Sequence, residues 1–416
     1  MTNISNTELS KFARRITIVL FVVQSLVSAG NIASATVNPI VGAQLGGNDY
    51  WTGVPTAVYL LGSAFAAFIW GGIMDVTGRR NGIVLGLVLG LIGNGLILFA
   101  IQSLSIIILL VGMALVGATN AAVVLGRFAA GEVNPPDKRG SAISLVVWGG
   151  TFGAVFGPML VGPMGSYVKS IGQNELAGPF LAALALQAVV VLIVSIGLRP
   201  EPSDLGRQVA EMYPSETPVE QSRTMIEILR QPAARIAVTA MVLGQVVMVA
   251  IMVITARHMD HNHHDLTEVS RVIQAHTIGM YAFSVITGRL TDKWGRGPVI
   301  FAGAVMLLLS CAMAPLSPEV FPLAIALFFL GLGWNFCFVG GSALLSDQLS
   351  PLERSRTQGT NDLMVGLASA TGSLGSGFVF AATGYTVIAT LAGALALIPL
   401  IMSVVWLKRK PSPVTS

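Results

Sequence analysis

Charge is the scarcest property of this chain. Only 11% of its 416 residues are Asp, Glu, Lys or Arg, about half the share of a soluble domain. Cysteine is rarer still. Cys311 and Cys337 are the two present, which excludes a disulfide framework or a CxxC motif and leaves two buried thiols as the reading. Acidic groups inside the apolar runs are scarce, Asp362 being the clearest. No nucleophile–base–acid constellation is legible, so the sequence is not read as an enzyme. The net charge of +4 carries no nucleic-acid signal, because the basic residues follow another order, described next.

What is abundant is apolar. Hydrophobic residues make up 53% of the chain and gather in runs long enough to cross a bilayer. Twelve spans are predicted, at about 16–43, 51–73, 82–102, 105–130, 140–168, 177–198, 234–257, 269–290, 298–315, 320–346, 358–382 and 385–407. A proline-bearing polar linker, residues 199–233, separates them into an N-terminal bundle (1–198) and a C-terminal bundle (234–416), each of six helices. The expected fold is therefore an all-α membrane protein of twelve transmembrane helices in two six-helix bundles. With both termini in the cytoplasm, all but Lys169, Arg257 and Arg271 of the 24 lysines and arginines fall on the inner side, as the positive-inside rule requires. The first apolar run is read as a span and not as a cleaved leader, because the duplication below needs it.

The halves share two motifs. Gly71-x-x-x-Asp75-x-x-Gly78-Arg79-Arg80 follows span two, and Gly288-x-x-x-Asp292-x-x-Gly295-Arg296 follows span eight. Pro136-Asp137-Lys138-Arg139 and Pro351-Leu352-Glu353-Arg354 occupy the loops after spans four and ten. Duplicated halves with matched loops are the layout of a parallel-repeat transporter. On these residues the chain resembles the major facilitator superfamily, whose best-known signature is the first loop. The resemblance implies a secondary transporter working by alternating access. Asp75, Gly78, Arg79, Arg80, Asp292, Gly295 and Arg296 then form a conformational latch on the cytoplasmic side, in which a carboxylate pairs with arginines and a helix N-terminus. Gly149, Gly150, Gly153 and Gly157 of span five resemble the family's glycine-rich helix; close helix packing suffices to explain them. The same packing reading is given to Gly366, Gly372, Gly375 and Gly377 of span eleven.

All five histidines and five of the sixteen methionines lie between Met241 and Met280. Met248-x-x-x-Met252 and His276-x-x-x-Met280 each place two side chains on one helix face. At ~1.5 Å per residue from the outer ends, Met252 lies ~8 Å deep, His276 ~11 Å, Met248 ~14 Å and Met280 ~17 Å. Thioether sulfur with imidazole is the donor set that selects Cu(I), whereas zinc and magnesium need charged ligands that are missing here. His258, His261, His263 and His264 form a candidate outer metal-capture patch. The two pairs resemble the CcoA-type copper-importing branch of the superfamily, which serves cbb-type cytochrome oxidase assembly in bacteria. That resemblance implies import across the bacterial inner membrane, with the copper ion as cargo, no resident cofactor, the lipid bilayer as surroundings and a cytoplasmic copper acceptor as partner. The alternative is a small organic solute such as riboflavin, with the Met/His pairs as packing and Trp148 and Trp334 stacking on a flat ring.

Overall fold

The structure, a computed structural model, describes residues 6–136, 138–213 and 223–408. All regular structure among them is helical. Contacts divide the chain into two compact units, Met1–Pro218 and Val219–Ser416. The first holds α1 (Asn6–Gly46), α2 (Val54–Thr77), α3 (Arg79–Ser103), α4 (Ile106–Glu132), α5 (Arg139–Phe156), α6 (Val161–Ser170), α7 (Gly178–Gly197) and α8 (Pro202–Met212). The second holds α9 (Met225–Arg230), α10 (Pro232–His261), α11 (Leu266–Tyr281), α12 (Ser284–Trp294), α13 (Arg296–Met313), α14 (Val320–Ser346), α15 (Pro351–Thr383) and α16 (Tyr385–Lys408). The polar segment between the apolar runs is shared out: α8 packs on α3 and α4, and α9 packs on α10.

The sequence duplication reappears as packing. In the first unit α3 lies on α4, and α1 lies on α5 and α7. In the second, α13 lies on α14, and α10 lies on α15 and α16. With no hydrophobic force between helices in lipid, such contacts depend on small residues that let backbones meet. A Cβ at Gly117 of α4 would lie 2.1 Å from the Tyr59 carbonyl of α2, and one at Gly331 of α14 would lie 2.1 Å from the His276 carbonyl of α11. The glycines of span five do the same against α1: at Gly149, Gly153 and Gly157 a Cβ would stand 2.5, 2.4 and 2.6 Å from the carbonyls of Phe21, Ser25 and Ala29. The packing reading fails for span eleven at Gly366 and Gly375, which have nothing within 4 Å, while Gly372 meets the Val246 backbone at 3.2 Å.

Among the described residues, eleven segments are long and apolar enough to cross a membrane. The eighth expected span, 269–290, is two shorter helices, α11 and α12, separated at Ala282 and Phe283. Its break has an identifiable cause. Asn335 of α14 donates through Nδ2 to the Met280 carbonyl at 2.7 Å and to the Ser284 hydroxyl at 2.8 Å, while its Oδ1 accepts from the Thr287 hydroxyl at 2.6 Å. One buried amide thus takes up the Met280 carbonyl that the interrupted ladder leaves over, together with two side-chain hydroxyls.

The glycine contacts yield a direct test. Gly153→Ala should cost about 1–3 kcal/mol through overpacking, read as a lower midpoint of thermal unfolding in detergent. Gly140→Ala, a site with nothing within 4 Å, should leave the midpoint where it was.

Candidate functional site

The two signature loops are built alike. Gly78 and Gly295 open α3 and α13 with φ of +89° and +90°, a conformation that residues with a Cβ adopt only at a cost. Arg79, just beyond, forms a fork with Glu132 at the end of α4: Nε to Oε2 at 3.1 Å and Nη2 to Oε1 at 2.6 Å. Asp75 is a weaker neighbour, 3.5 Å from Arg79 and largely exposed. In the second unit Arg296 donates to Asp347, beyond α14, at 2.9 Å, to the Thr291 carbonyl at 3.1 Å and to Asp292 at 3.4 Å.

Arg79 and Arg296 therefore each take their main carboxylate from the far end of the fourth or tenth span, a pairing that the loop spacing alone does not give, while Arg80 lies 3.9 Å from Glu201. The signal was there, since Glu132 and Asp347 close matching spans. Glu201 and Ser203, at the start of α8, accept from the backbone N–H groups of Arg80 (3.0 Å) and Arg79 (3.2 Å). A cleft of about 300 Å³ lies among Asp75, Arg79, Glu132, Ser203 and Arg207. Asp137, and the side chains of Pro351, Leu352 and Arg354, lie outside the described residues.

The methionine and histidine pairs sit in the apolar core of the second unit. His276 has no exposed surface, Met248 and Met280 are buried, and Met252 is half-buried. Nδ1 of His276 lies 3.0 Å from the Leu327 carbonyl of α14. A carbonyl only accepts, so Nδ1 carries the hydrogen and Nε2 keeps a bare lone pair. That Nε2 is buried and has no hydrogen-bond partner.

Met252 reaches the same level by another route. Trp334 of α14 donates to Gln245 of α10 at 2.6 Å. His264, beyond the end of α10, lies 3.0 Å from the Pro318 carbonyl before α14, so the two helices run antiparallel. Two turns from that pair toward the His264 end lie Met252 on α10 and Leu327 on α14. Met252 and His276 thus share the level of Leu327, and Met248 and Met280 follow one turn nearer the signature loop. Met280 is also the residue at which Asn335 enters the helix break.

Beside the pairs lies a half-buried aromatic and amide group. Trp334 stacks on Phe338, centroids 5.0 Å apart, and meets Tyr281 edge-on at 6.1 Å. In the first unit Asn31 donates to Asn120 at 3.2 Å and Asn120 to Ser63 at 3.2 Å, joining α1, α2 and α4. Trp148, Phe152 and Phe156 form an exposed ladder along α5.

Three of the four remaining histidines are engaged one by one. His258 stacks on Tyr385 with centroids 4.3 Å apart, His261 stacks on Phe380, and His264 bonds Glu268 at 3.0 Å. His263 occupies a left-handed turn at φ +63°. Among the described residues no three His, Cys, Asp or Glu side chains are grouped to hold a metal ion.

Comparison with known proteins agrees with this architecture. A model of the Major Facilitator Superfamily matches residues 20–267 and 236–416. The uncharacterised MFS-type transporter YdeG of Bacillus subtilis (strain 168) is 37% identical over 398 residues, 94% of this chain and 92% of its own. The riboflavin transporter RfnT of Brucella anthropi is 29% identical over 398 residues, 94% of this chain and 96% of its own. Among solved structures, a bacterial homologue of the human lysosomal transporter Spinster superposes with a TM-score of 0.72 at 17% identity, over 97% of this chain and 99% of that one. The nucleoside transporter NupG gives 0.69 at 15% identity, over 96% and 100%. By its sequence, its duplicated signature loops and its helical architecture, the chain belongs to the Major Facilitator Superfamily and is a multi-pass membrane transporter.

Proposed function

We propose that this transporter imports copper, as Cu(I), across the bacterial inner membrane, with Met248, Met252, His276 and Met280 as the ligands that pass the ion along the second unit. The observation that carries the reading is His276. Its imidazole is anchored through Nδ1 to the Leu327 carbonyl and buries an unpaired Nε2 lone pair. A metal-ligating histidine is held in this way, one nitrogen fixed by the backbone and the other presented to the ion. Thioethers bind without losing a proton, so the site takes a soft monovalent cation with no proton release. The break two residues beyond Met280 adds support, because interrupted helices mark binding sites in transporters. In this reading the outer histidines supply captured ions, and a cytoplasmic acceptor takes them up.

A second reading rests on a different observation. RfnT is a riboflavin transporter similar over nearly the whole chain, and the Gln245–Trp334–Phe338–Tyr281 group offers a stacking surface beside an amide. A flat heteroaromatic solute suits that group. Uptake of radioactive copper against radioactive riboflavin by cells expressing the chain separates the two.

Copper uptake without riboflavin uptake is expected; the reverse overturns the copper reading. His276→Ala and the double variant Met248→Leu, Met252→Leu should each lower copper uptake about tenfold or more, equivalent to ~1.4 kcal/mol of lost ligand binding. Leucine nearly conserves methionine's volume, so parental uptake by the double variant would mean that the sulfurs serve packing alone.

The latch is proposed to act on the conformational equilibrium and not on the cargo. Glu132→Gln should slow transport more than Asp75→Asn, because the first breaks the fork on Arg79 and the second removes an exposed neighbour. Cargo affinity measured on the purified variants should stay at the parental value, and a matched loss of affinity would contradict the assignment.

A further inference from the structure

The residues that join the apolar runs of the two halves are not spare chain. At the start of the second unit Arg223 makes a set of bonds that resembles a built joint. Its backbone N–H and Nε both donate to Oε1 of Glu353, at 2.8 and 2.9 Å. Nη2 donates to Glu353 Oε2 and to the Gln348 carbonyl, each at 2.7 Å. The backbone N–H of Ser350 donates to Glu353 Oε2 at 3.0 Å, completing a capping box at the start of α15. Glu353 is 2% exposed, so a carboxylate enclosed by protein is matched by a guanidinium fork and two backbone donors.

Three segments meet at this group: the strand of chain entering α9, the turn after α14 and the first turn of α15. The fork of Arg223, with the Ser350 N–H next in weight, holds the Glu353 carboxyl below the usual carboxylate range. The joint therefore persists on mild acidification, and its contribution is lost only as pH falls through that lowered value.

The equivalent loop of the first unit is closed differently. Arg139 donates to the Asn134 carbonyl at 3.3 Å within its own loop, and Lys138 caps α5 without a side-chain bond. The joining segment instead contributes to the first unit at another place, where Glu201 and Ser203 cap α3 beside the signature arginines. Each end of the joining segment is thus fastened to a helix start of its own unit, and neither fastening is required to continue the helix it touches.

We propose that Arg223, acting through Glu353, is a positioning residue for transport: it ties the joining segment to the first turn of α15, so that this end of α15 moves as one body with the turn after α14. The inference concerns the transport cycle and holds for any cargo. The Glu353 carboxylate is enclosed while Arg223 stays partly exposed; such a pair contributes little net stability against an apolar replacement, and removing the arginine leaves the enclosed charge uncompensated. Specific alignment is the use left for it.

The test uses the full chain in lipid nanodiscs and in cells, with whichever cargo the uptake comparison identifies. Arg223→Ala and Glu353→Gln should lower the maximal uptake rate about threefold or more while KM stays within about twofold, because binding groups are untouched. Hydrogen exchange at residues 348–357 should quicken about tenfold in both variants, with exchange at the start of α3 unchanged. Parental rate and exchange in Arg223→Ala would overturn the proposal. If Arg223→Ala does not fold, Arg223→Lys keeps one donor and the charge; an intermediate rate supports the proposal, and a parental one overturns it.

Discussion

The break between α11 and α12 is tolerable only because Asn335 satisfies it. Inside an apolar environment a freed carbonyl has no water to turn to, and leaving one buried without a partner costs about 1–3 kcal/mol. One amide on α14 meets the Met280 carbonyl and two hydroxyls of the interrupted span. The close approach that allows this comes from Gly331, where a side chain would strike the His276 carbonyl at 2.1 Å. His276 and Met280, the break, and the anchoring carbonyl of Leu327 are therefore consequences of one tight α11–α14 contact. A rigid wall on α14 and an interrupted helix facing it is the arrangement from which a cation site can be made without charged residues.

The same economy runs through the rest of the protein. Carboxylates are few, and those near the signature loops are spent on arginines: Glu132 on Arg79, Asp347 on Arg296 and Glu353 on Arg223. The pairs sit at helix starts and ends, where backbone groups are left over and where charge is least costly to hold. Between these ends the helices are joined by glycine contacts and single amides such as Asn94, which donates to Gln187 at 2.9 Å.

Hydropathy and charge made most of this legible in advance. Eleven of the twelve expected spans appear as segments fit to cross a membrane, and the duplicated loops recur with the same backbone at Gly78 and Gly295. The eighth span read as continuous because its apolar pattern is unbroken through Ala282 and Phe283; the interruption comes from a side chain 55 residues away from the Met280 carbonyl it binds. Long-range partners leave no periodic trace, which is also why Glu132 and Arg223 escaped notice. Local spacing gives only which Met and His share a helix face, since i and i+4 on a helix is a near-neighbour relation. It did not foresee that the outer histidines would be taken up separately by Tyr385, Phe380 and Glu268.

In the proposed site, thioether sulfur and one imidazole nitrogen bind the cargo. X-ray absorption on the full chain loaded with Cu(I) under anaerobic conditions reads the donor atoms directly. The account predicts a first shell of two or three sulfur scatterers with one nitrogen, the nitrogen disappearing in His276→Ala. A shell of oxygen and nitrogen alone, or one unchanged by that substitution, would contradict it.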